Sequence, residues 1–305
     1  MRFTVSHDSR LGKRQMNQDR LAWAHTDEAL LLVLCDGMGG HRHGEIAAQI
    51  VVDHCLRVFK HAARPRLDDP HRFLSDSLLD AHWAINNYAS LRAIPLDDAP
   101  RTTCVACVIQ DSLATIAHTG DSRVYLIRNG QTHTRTYDHS RVQMLIDSGE
   151  LTEEQAQHHP QRNLVITCLG GDVPPRIDVA QAIRLEAADT IALCSDGVWG
   201  PLGEQLSAGL VYPLERAIPT LLDRAEVLAG PSCDNLSLIA LRWESESGRP
   251  QIDEKTGALT GQDTLIEDFT RTLPRPLTEQ EIAGAIATVK NQLASTHSFK
   301  PTSPK

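Results

Sequence analysis

The sequence predicts a layered α+β domain, in which sheets of short strands carry pairs of helices. Runs of strand length recur in blocks, at 3–7, 21–24, 29–35, 102–109, 124–127, 190–194 and 236–243. Two amphipathic stretches of helical period, about 45–60 and 70–91, stand together between the third and fourth runs. Blocks of strands broken by paired helices are the pattern of sheets and helices stacked in layers. Of the 305 residues, 41% are hydrophobic and only 4% aromatic, so Leu, Ala, Ile and Val must fill the core.

Taken in order, Phe3–His7 and Leu21–Ala24 read as strands flanking the turn Arg14–Arg20. Ala29–Cys35 is a continuous apolar run, too short to cross a membrane and rich enough in branched residues for a buried strand. It stops on Asp36, and Gly37, Gly39 and Gly40 then bend the backbone. The helical pattern that follows puts Ile46, Ile50 and Val51 on one face, and a second helix follows at about Pro70–Leu91. After a loop at 93–101 comes the strand Thr102–Ile109, then Gly120-Asp121-Ser122-Arg123 between two further strand-like runs. Asn129-Gly130 predicts a tight hairpin after Val124–Ile127. Val142, Leu145 and Ile146 have helical spacing that ends at Gly149, and Thr152-x-x-Gln155 is a capping box. Ile177–Leu185 and Thr190–Cys194 return to strands, and Leu214–Leu228 has an apolar helical face. The turn at 230–232 leads through Asp234-Asn235 into the last strand, Leu236–Trp243.

Beyond that point, 244–276 is polar and reads as a linker. Thr278-x-x-Glu281 then caps a helix at 277–293 with Ile282, Ile286, Val289 and Leu293 on one stripe, and 297–305 is a frayed end. A helix this short is marginal in water without a surface for its stripe, so it is expected to dock on its own domain or on a partner.

The formal net charge of −9 argues against non-specific binding to nucleic acid or to an anionic membrane. No run reaches transmembrane length, and Met1-Arg2-Phe3-Thr4 begins a strand pattern in place of a signal peptide. The seven cysteines fall mostly in apolar strands, among them Cys35, Cys104, Cys107 and Cys194. Cys104 and Cys107 have CxxC spacing without a second pair, so the expectation is reduced core thiols in a cytoplasmic protein.

Four acidic turns stand at strand ends: Asp36, Asp121, Asp196 and Asp234. Alone, Asp36 reads equally well as a capping residue. Gathered at one sheet edge without a counter-ion, each close pair of carboxylates would cost about 4 kcal/mol at 4 Å and an effective dielectric near 20. Convergence would therefore imply a hard divalent ion, Mg²⁺ or Mn²⁺, held by oxygen ligands. Linear spacing leaves the convergence open.

The ordered set Arg14-x-x-Asn17-Gln18-Asp19, Asp36-Gly37-Met38-Gly39-Gly40, Gly120-Asp121-Ser122-Arg123, Asp138-His139-Ser140, Ser195-Asp196-Gly197 and Asp234-Asn235 resembles the metal-dependent serine/threonine protein phosphatases, the 2C-like or PPM family. Within it the chain is similar to the compact bacterial branch, where Met follows the first Asp-Gly. The match runs from about Phe3 to Trp243, roughly four fifths of the chain. The resemblance implies a four-layer αββα sandwich, two antiparallel sheets flanked by pairs of helices. It divides the chain into a catalytic domain at 1–243, the linker at 244–276 and the helix and tail at 277–305. It implies hydrolysis of phosphoserine and phosphothreonine in proteins by a hydroxide held between two metals, Mn²⁺ or Mg²⁺. Asp36 would bridge the two core ions. Asp196 and Asp234 would complete one site, and the Gly37 carbonyl would serve the other. Asp121, with Asp196, would hold a weaker third ion, and Asp19 a water behind the metals. Arg14 would grip the substrate phosphate with its planar guanidinium. Partners would be phosphoprotein substrates, those of a cognate serine/threonine kinase.

The chain departs from the family's pattern at Gln18, where many members have Glu, so the second ion relies more on Asp36, Gly37 and water. Met38 stands where some members carry His, which leaves His41 and His139 as candidate general acids. The segment around Asp138-His139-Ser140, His159–Asn163 and Leu169-Gly170-Gly171 would form a flap beside the metals. His41-x-His43-x-Glu45 is similar to part of the HxHxDH zinc signature but lacks its final His and has Glu for Asp, which argues against zinc. Two alternatives stay open: a phosphatase dedicated to one small regulatory phosphoprotein, and a catalytically weak binding module on the same fold.

Overall fold

The structure, a computed structural model, describes residues 1–38, 43–157, 159–245 and 251–252. Gly39, Gly40 and His41, and the helix expected at 277–293, lie outside the described residues. The early strands are β1 (Arg2–Arg10), β2 (Asp19–His25) and β3 (Ala29–Asp36), followed by the helices α1 (Gly44–Ala62) and α2 (Pro70–Leu91). Four strands come next, β4 (Cys104–Gln110), β5 (Leu113–Thr119), β6 (Arg123–Arg128) and β7 (Gln131–Arg135), then short helices α3 (Arg141–Asp147) and α4 (Glu153–Gln157). Two short pairings, β8 (Asp178–Val179) and β9 (Ile183–Arg184), precede β10 (Thr190–Cys194). The helices α5 (Asp196–Leu202), α6 (Gln205–Gly209) and α7 (Leu214–Ala229) lead to β11 (Leu236–Ser245) and the edge strand β12 (Gln251–Ile252).

Two sheets result, one ordered β12-β1-β11-β10-β6-β7 and the other β2-β3-β4-β5-β8, with β9 also paired to β5. All these pairings are antiparallel except that of β1 with β12. The continuous apolar run of β3 reflects burial on both faces. Leu30, Leu32 and Leu34 point between the sheets, against Val105, Cys107, Val124, Leu193 and Ile239. Leu31, Val33 and Cys35 point outward, under Val51, Cys55 and Phe59 of α1 and Leu78 and Ile85 of α2. On the other side, Ala192, Leu238 and Ala240 pack under Leu214, Ile218 and Leu222 of α7. Three apolar layers therefore separate four structural layers, helices outside and sheets within. Each fully buried Leu or Val contributes about 1.5–3 kcal/mol to holding them together.

Local signals explain the element ends. Asn129 and Gly130 both have positive φ, 53° and 76°, as a tight hairpin of that type needs. Thr152 and Gln155 cap reciprocally: Gln155 N donates to Thr152 Oγ1 at 3.2 Å and Thr152 N to Gln155 Oε1 at 2.9 Å. Three readings change. The stretch 177–185 forms only the two short pairings β8 and β9 and is otherwise without regular structure. The buried stripe of α1 runs through Ala47, Ala48, Val51, Val52, Cys55 and Phe59, leaving Ile46 and Ile50 at its margin. The last strand continues to Ser245, with Gln251 and Ile252 pairing beside Thr4 and Val5 inside the stretch read as linker. All seven cysteines are free, and Cys104 and Cys107 lie in different core layers. Among the described residues no helix is long and apolar enough to cross a membrane.

Candidate metal centre

Antiparallel pairing decides which strand ends meet. Asp36 ends β3, its register partner Asp19 opens β2, and Thr102-Thr103 leads into β4 beside them. β5 runs back to the same end and delivers Gly120 and Asp121. In the other sheet Cys194 pairs with Leu238, so Asp196 just after β10 and Asp234 just before β11 share one end. The acidic turns separated in sequence thus meet at one end of the sandwich.

Two glycines let the backbones close. A Cβ on Gly37 would stand 2.4 Å from the Gly44 carbonyl, and one on Gly197 would stand 2.1 Å from the carbonyl oxygen of Asn235. The Asp-Gly pairs at 36–37 and 196–197 therefore record close packing behind each aspartate.

The carboxylates feel one another. Desolvation, and then the charges of Asp19, Asp196, Asp121 and Asp234, hold Asp36 well above the usual carboxylate range. Desolvation and then Asp196 do the same to Asp121. Asp196 is raised to about 6, first by desolvation and then by Asp234, against a hydrogen bond shared with Asp36. Asp19 is raised to about 7 by burial, although Ser195 Oγ donates to its Oδ2 at 2.8 Å. Its Oδ1 is buried with no hydrogen-bond partner among the described residues. An all-oxygen donor set, mutually repelling and holding an orphaned oxygen, fits a hard divalent cation.

Arg14 sits at the mouth of this cluster, about half-exposed, and its Nη2 donates to Asp234 Oδ2 at 2.7 Å. That bond, with the charges of Asp234, Asp196 and Asp36, raises its pKa against a smaller opposing effect of desolvation. Its loop is clamped by a residue whose role sequence reasoning missed. The buried Asn235 accepts from Gln18 N at 2.9 Å and donates to Leu11 O at 2.9 Å and Met16 O at 3.0 Å. Gln18 itself turns its amide to Glu45 Oε2 at 3.2 Å.

Asp121 is positioned from behind. Trp199 Nε1 donates to the Asp121 carbonyl at 2.9 Å, and Arg123 lies over the Trp199 ring at 3.4 Å. Arg123 also grips Asp138 at 2.7 and 2.8 Å. Thr103 ties both sides: its Oγ1 accepts from Asp36 N at 3.3 Å and shares a 2.8 Å hydrogen bond with Ser122 Oγ. No periodic or motif signal singles out Thr103 or Trp199; a hydroxyl and an indole acquire these roles only once segments 19 to 78 residues apart are brought together. His139 is placed with His118 and Asp178, on the far side of its hydrogen bonds to Gly120. His43 is half-exposed, and its Nδ1 stands 4.0 Å from Glu45.

The chain is similar to known proteins in sequence and in fold. The chain is 34% identical over 249 residues to the serine/threonine protein phosphatase PstP of Mycobacterium tuberculosis, covering 78% of this chain and 45% of that one. The chain therefore spans about half the length of that relative. Among solved structures, the serine/threonine phosphatase of S. agalactiae superposes with a TM-score of 0.69 at 29% identity, over 79% of this chain and 100% of that one. The catalytic domain of PstP in complex with two manganese ions superposes with a TM-score of 0.65 at 28% identity, over 80% of this chain and 99% of that one. The family model described as Protein phosphatase 2C matches residues 8–229, a span that takes in Arg14, Asp36, Asp121 and Asp196. With two antiparallel sheets between helices and the acidic turns meeting at one end, this chain belongs to the protein phosphatase 2C family.

Proposed function

We propose that the chain is a metal-dependent serine/threonine protein phosphatase, hydrolysing phosphoserine and phosphothreonine in protein substrates. The observation that carries this reading is the meeting of Asp36, Asp121, Asp196 and Asp234 at one sandwich end with Arg14 beside them. Asp36, Asp196, Asp234 and the Gly37 carbonyl are the residues that would hold two core Mn²⁺ or Mg²⁺ ions, with Asp36 shared. Asp121, with Asp196, would hold a weaker third. When bound, such ions neutralise phosphate charge and bring the pKa of water toward neutrality.

The chain's own residues supply the rest. Arg14 exchanges Asp234 for substrate and presents two N–H groups to phosphate oxygens. Asn235 fixes the loop from which Arg14 reaches. Asp19, behind Asp36, offers its unpartnered Oδ1 to a water proton. His139 is engaged elsewhere and His41 is outside the described residues, so leaving-group protonation is assigned to neither. The partners would be phosphoproteins, in keeping with relatives named serine/threonine protein phosphatase, and the substrates of a cognate kinase are the expected ones. Seven free thiols suit a reducing, cytoplasmic setting.

The test is phosphate release from an aryl phosphate, from phosphoserine and phosphothreonine peptides and from intact phosphoproteins, with Mn²⁺ and with a chelator. Mn²⁺-dependent turnover of all three is expected. No turnover of any would make the chain a binding module, and turnover of one phosphoprotein alone a dedicated phosphatase.

A further inference from the structure

His118, His139 and Asp178 take no part in the chemistry above. We propose that they form a separate site for one divalent transition-metal ion of the zinc class, behind the Gly120–Asp121 turn. His118 near the end of β5 and Asp178 at the start of β8 are register partners, so their side chains share a face of the sheet. His139 is folded over them by its own N–H, which donates to Gly120 O at 2.8 Å, and by Ile166 N, which donates to His139 O at 2.9 Å. The two imidazoles lie 4.5 Å apart, tilted by 30°. One donor atom from each of the three residues lies within 4.8 Å of the others. A tetrahedral ion about 2.0–2.2 Å from its ligands sets them roughly 3.3–3.6 Å apart, so shifts of about an ångström close the site.

The donor atoms favour this ligand. His118 and His139 are 7% and 4% exposed, and His139 Nε2 faces Asp178 Oδ2 at 3.2 Å. Desolvation, the largest effect on each, lowers both imidazole pKa values and so favours the neutral, metal-binding form. The 2.8 Å hydrogen bond between His118 Nε2 and Tyr137 O keeps the proton on Nε2 and frees Nδ1. A backbone carbonyl orienting the second nitrogen is the usual support of a metal-binding histidine. Two imidazoles and one carboxylate suit zinc, whereas the all-oxygen centre suits Mg²⁺ or Mn²⁺.

Two contacts oppose the ion and set its strength. Gly120 N approaches His139 Nδ1 at 3.4 Å, a long contact that is lost when the proton moves to Nδ1. Arg176 holds Asp178 at 2.9 and 2.7 Å and is two-thirds exposed. A carboxylate has about four lone-pair positions, so the Arg176 fork leaves Asp178 able to ligate while its charge weakens the ion.

The experiment titrates the full chain with Co²⁺ and then Zn²⁺ under saturating Mg²⁺, reading visible absorption and calorimetric stoichiometry. One equivalent that resists Mg²⁺ is expected, with cobalt bands displaced by zinc. That equivalent should be lost in His118→Ala and Asp178→Asn variants that keep the wild-type circular dichroism. Arg176→Ala, at an exposed position that tolerates change, should tighten binding severalfold. Absence of a Mg²⁺-resistant equivalent, its persistence in His118→Ala, or unchanged or weaker affinity in Arg176→Ala would overturn the proposal.

Discussion

Asp19 and Asp36 are direct partners across β2 and β3, which sets two carboxylates side by side at the end of one sheet. Burial and like charge hold both above their ordinary range, Asp19 at about 7. An acid whose folded pKa exceeds its unfolded value binds more protons when folded, throughout the interval between the two values. Its contribution to stability is full below the unfolded pKa and is lost as pH rises through the folded one. Stripped of metal by a chelator, the protein should therefore lose stability from pH ~4 to ~7. One pKa unit corresponds to about 1.4 kcal/mol. About 1 kcal/mol moves the melting temperature of a domain this size by ~2–4 °C, so a fall of several degrees is expected. Asp19→Asn should flatten the slope, and saturating Mn²⁺ should remove it. A thermal scan in chelator with the same slope in Asp19→Asn and wild type would contradict the assignment.

Arg14 is ion-paired with Asp234 at 2.7 Å and is half-exposed. Arg14→Ala should lower kcat/KM for a phosphopeptide by about 10–100-fold, chiefly through KM, since charge-assisted hydrogen bonds are worth about 1.5–3 kcal/mol. Calorimetric Mn²⁺ binding should be retained, and should tighten if it changes at all, because Asp234 loses its competing cation. Unchanged kinetics at sub-saturating substrate would remove Arg14 from the phosphate.

Asn235 holds the Arg14 loop through three backbone contacts. Asn235→Ala leaves buried groups unpaired at about 1–3 kcal/mol each, so both the melting temperature and kcat/KM should fall. Asn235→Asp keeps the acceptor for Gln18 N but turns a buried carboxylate oxygen onto the Leu11 and Met16 carbonyls, and should be impaired at least as much as Asn235→Ala. Equal KM in all three proteins would make the clamp purely structural.

Much of this architecture was legible because its signals are local. The helix at 70–91, the Asn129-Gly130 hairpin and the Thr152–Gln155 capping box depend on residues within a few positions of each other. The five aspartates could be named from their motifs, but their convergence depends on strand register: Asp36 meets Asp196 only because two sheets stack with corresponding ends aligned. The segment 177–185 misled because its alternating apolar residues resemble a strand, whereas Pro174 and Pro175 just before it and the short edge pairings break it up. Likewise Trp199 and Thr103 act through a carbonyl and a hydroxyl, and neither residue type announces such a contact. The pairing of His118 with Asp178 spans 60 positions and is visible only in the register.

The tail gives a separate expectation. Because β12 pairs with β1, the natural place to cut is after Ile252 and not after Trp243. Removing 253–305 should leave aryl-phosphate turnover within about twofold, since Arg14 and all the acidic turns lie before that segment. A folded truncation that loses this activity would place part of the tail at the metal centre.

In the proposed centre Asp36 would be shared by two core ions, whereas Asp121 would serve only a weaker third. Calorimetric Mn²⁺ titration of wild type, Asp36→Asn and Asp121→Asn separates the two roles. Asp36→Asn should nearly abolish tight Mn²⁺ binding and turnover together. Asp121→Asn should keep the tight ions and lose only weak binding, with slower turnover. Tight binding retained by Asp36→Asn and lost by Asp121→Asn would contradict that assignment.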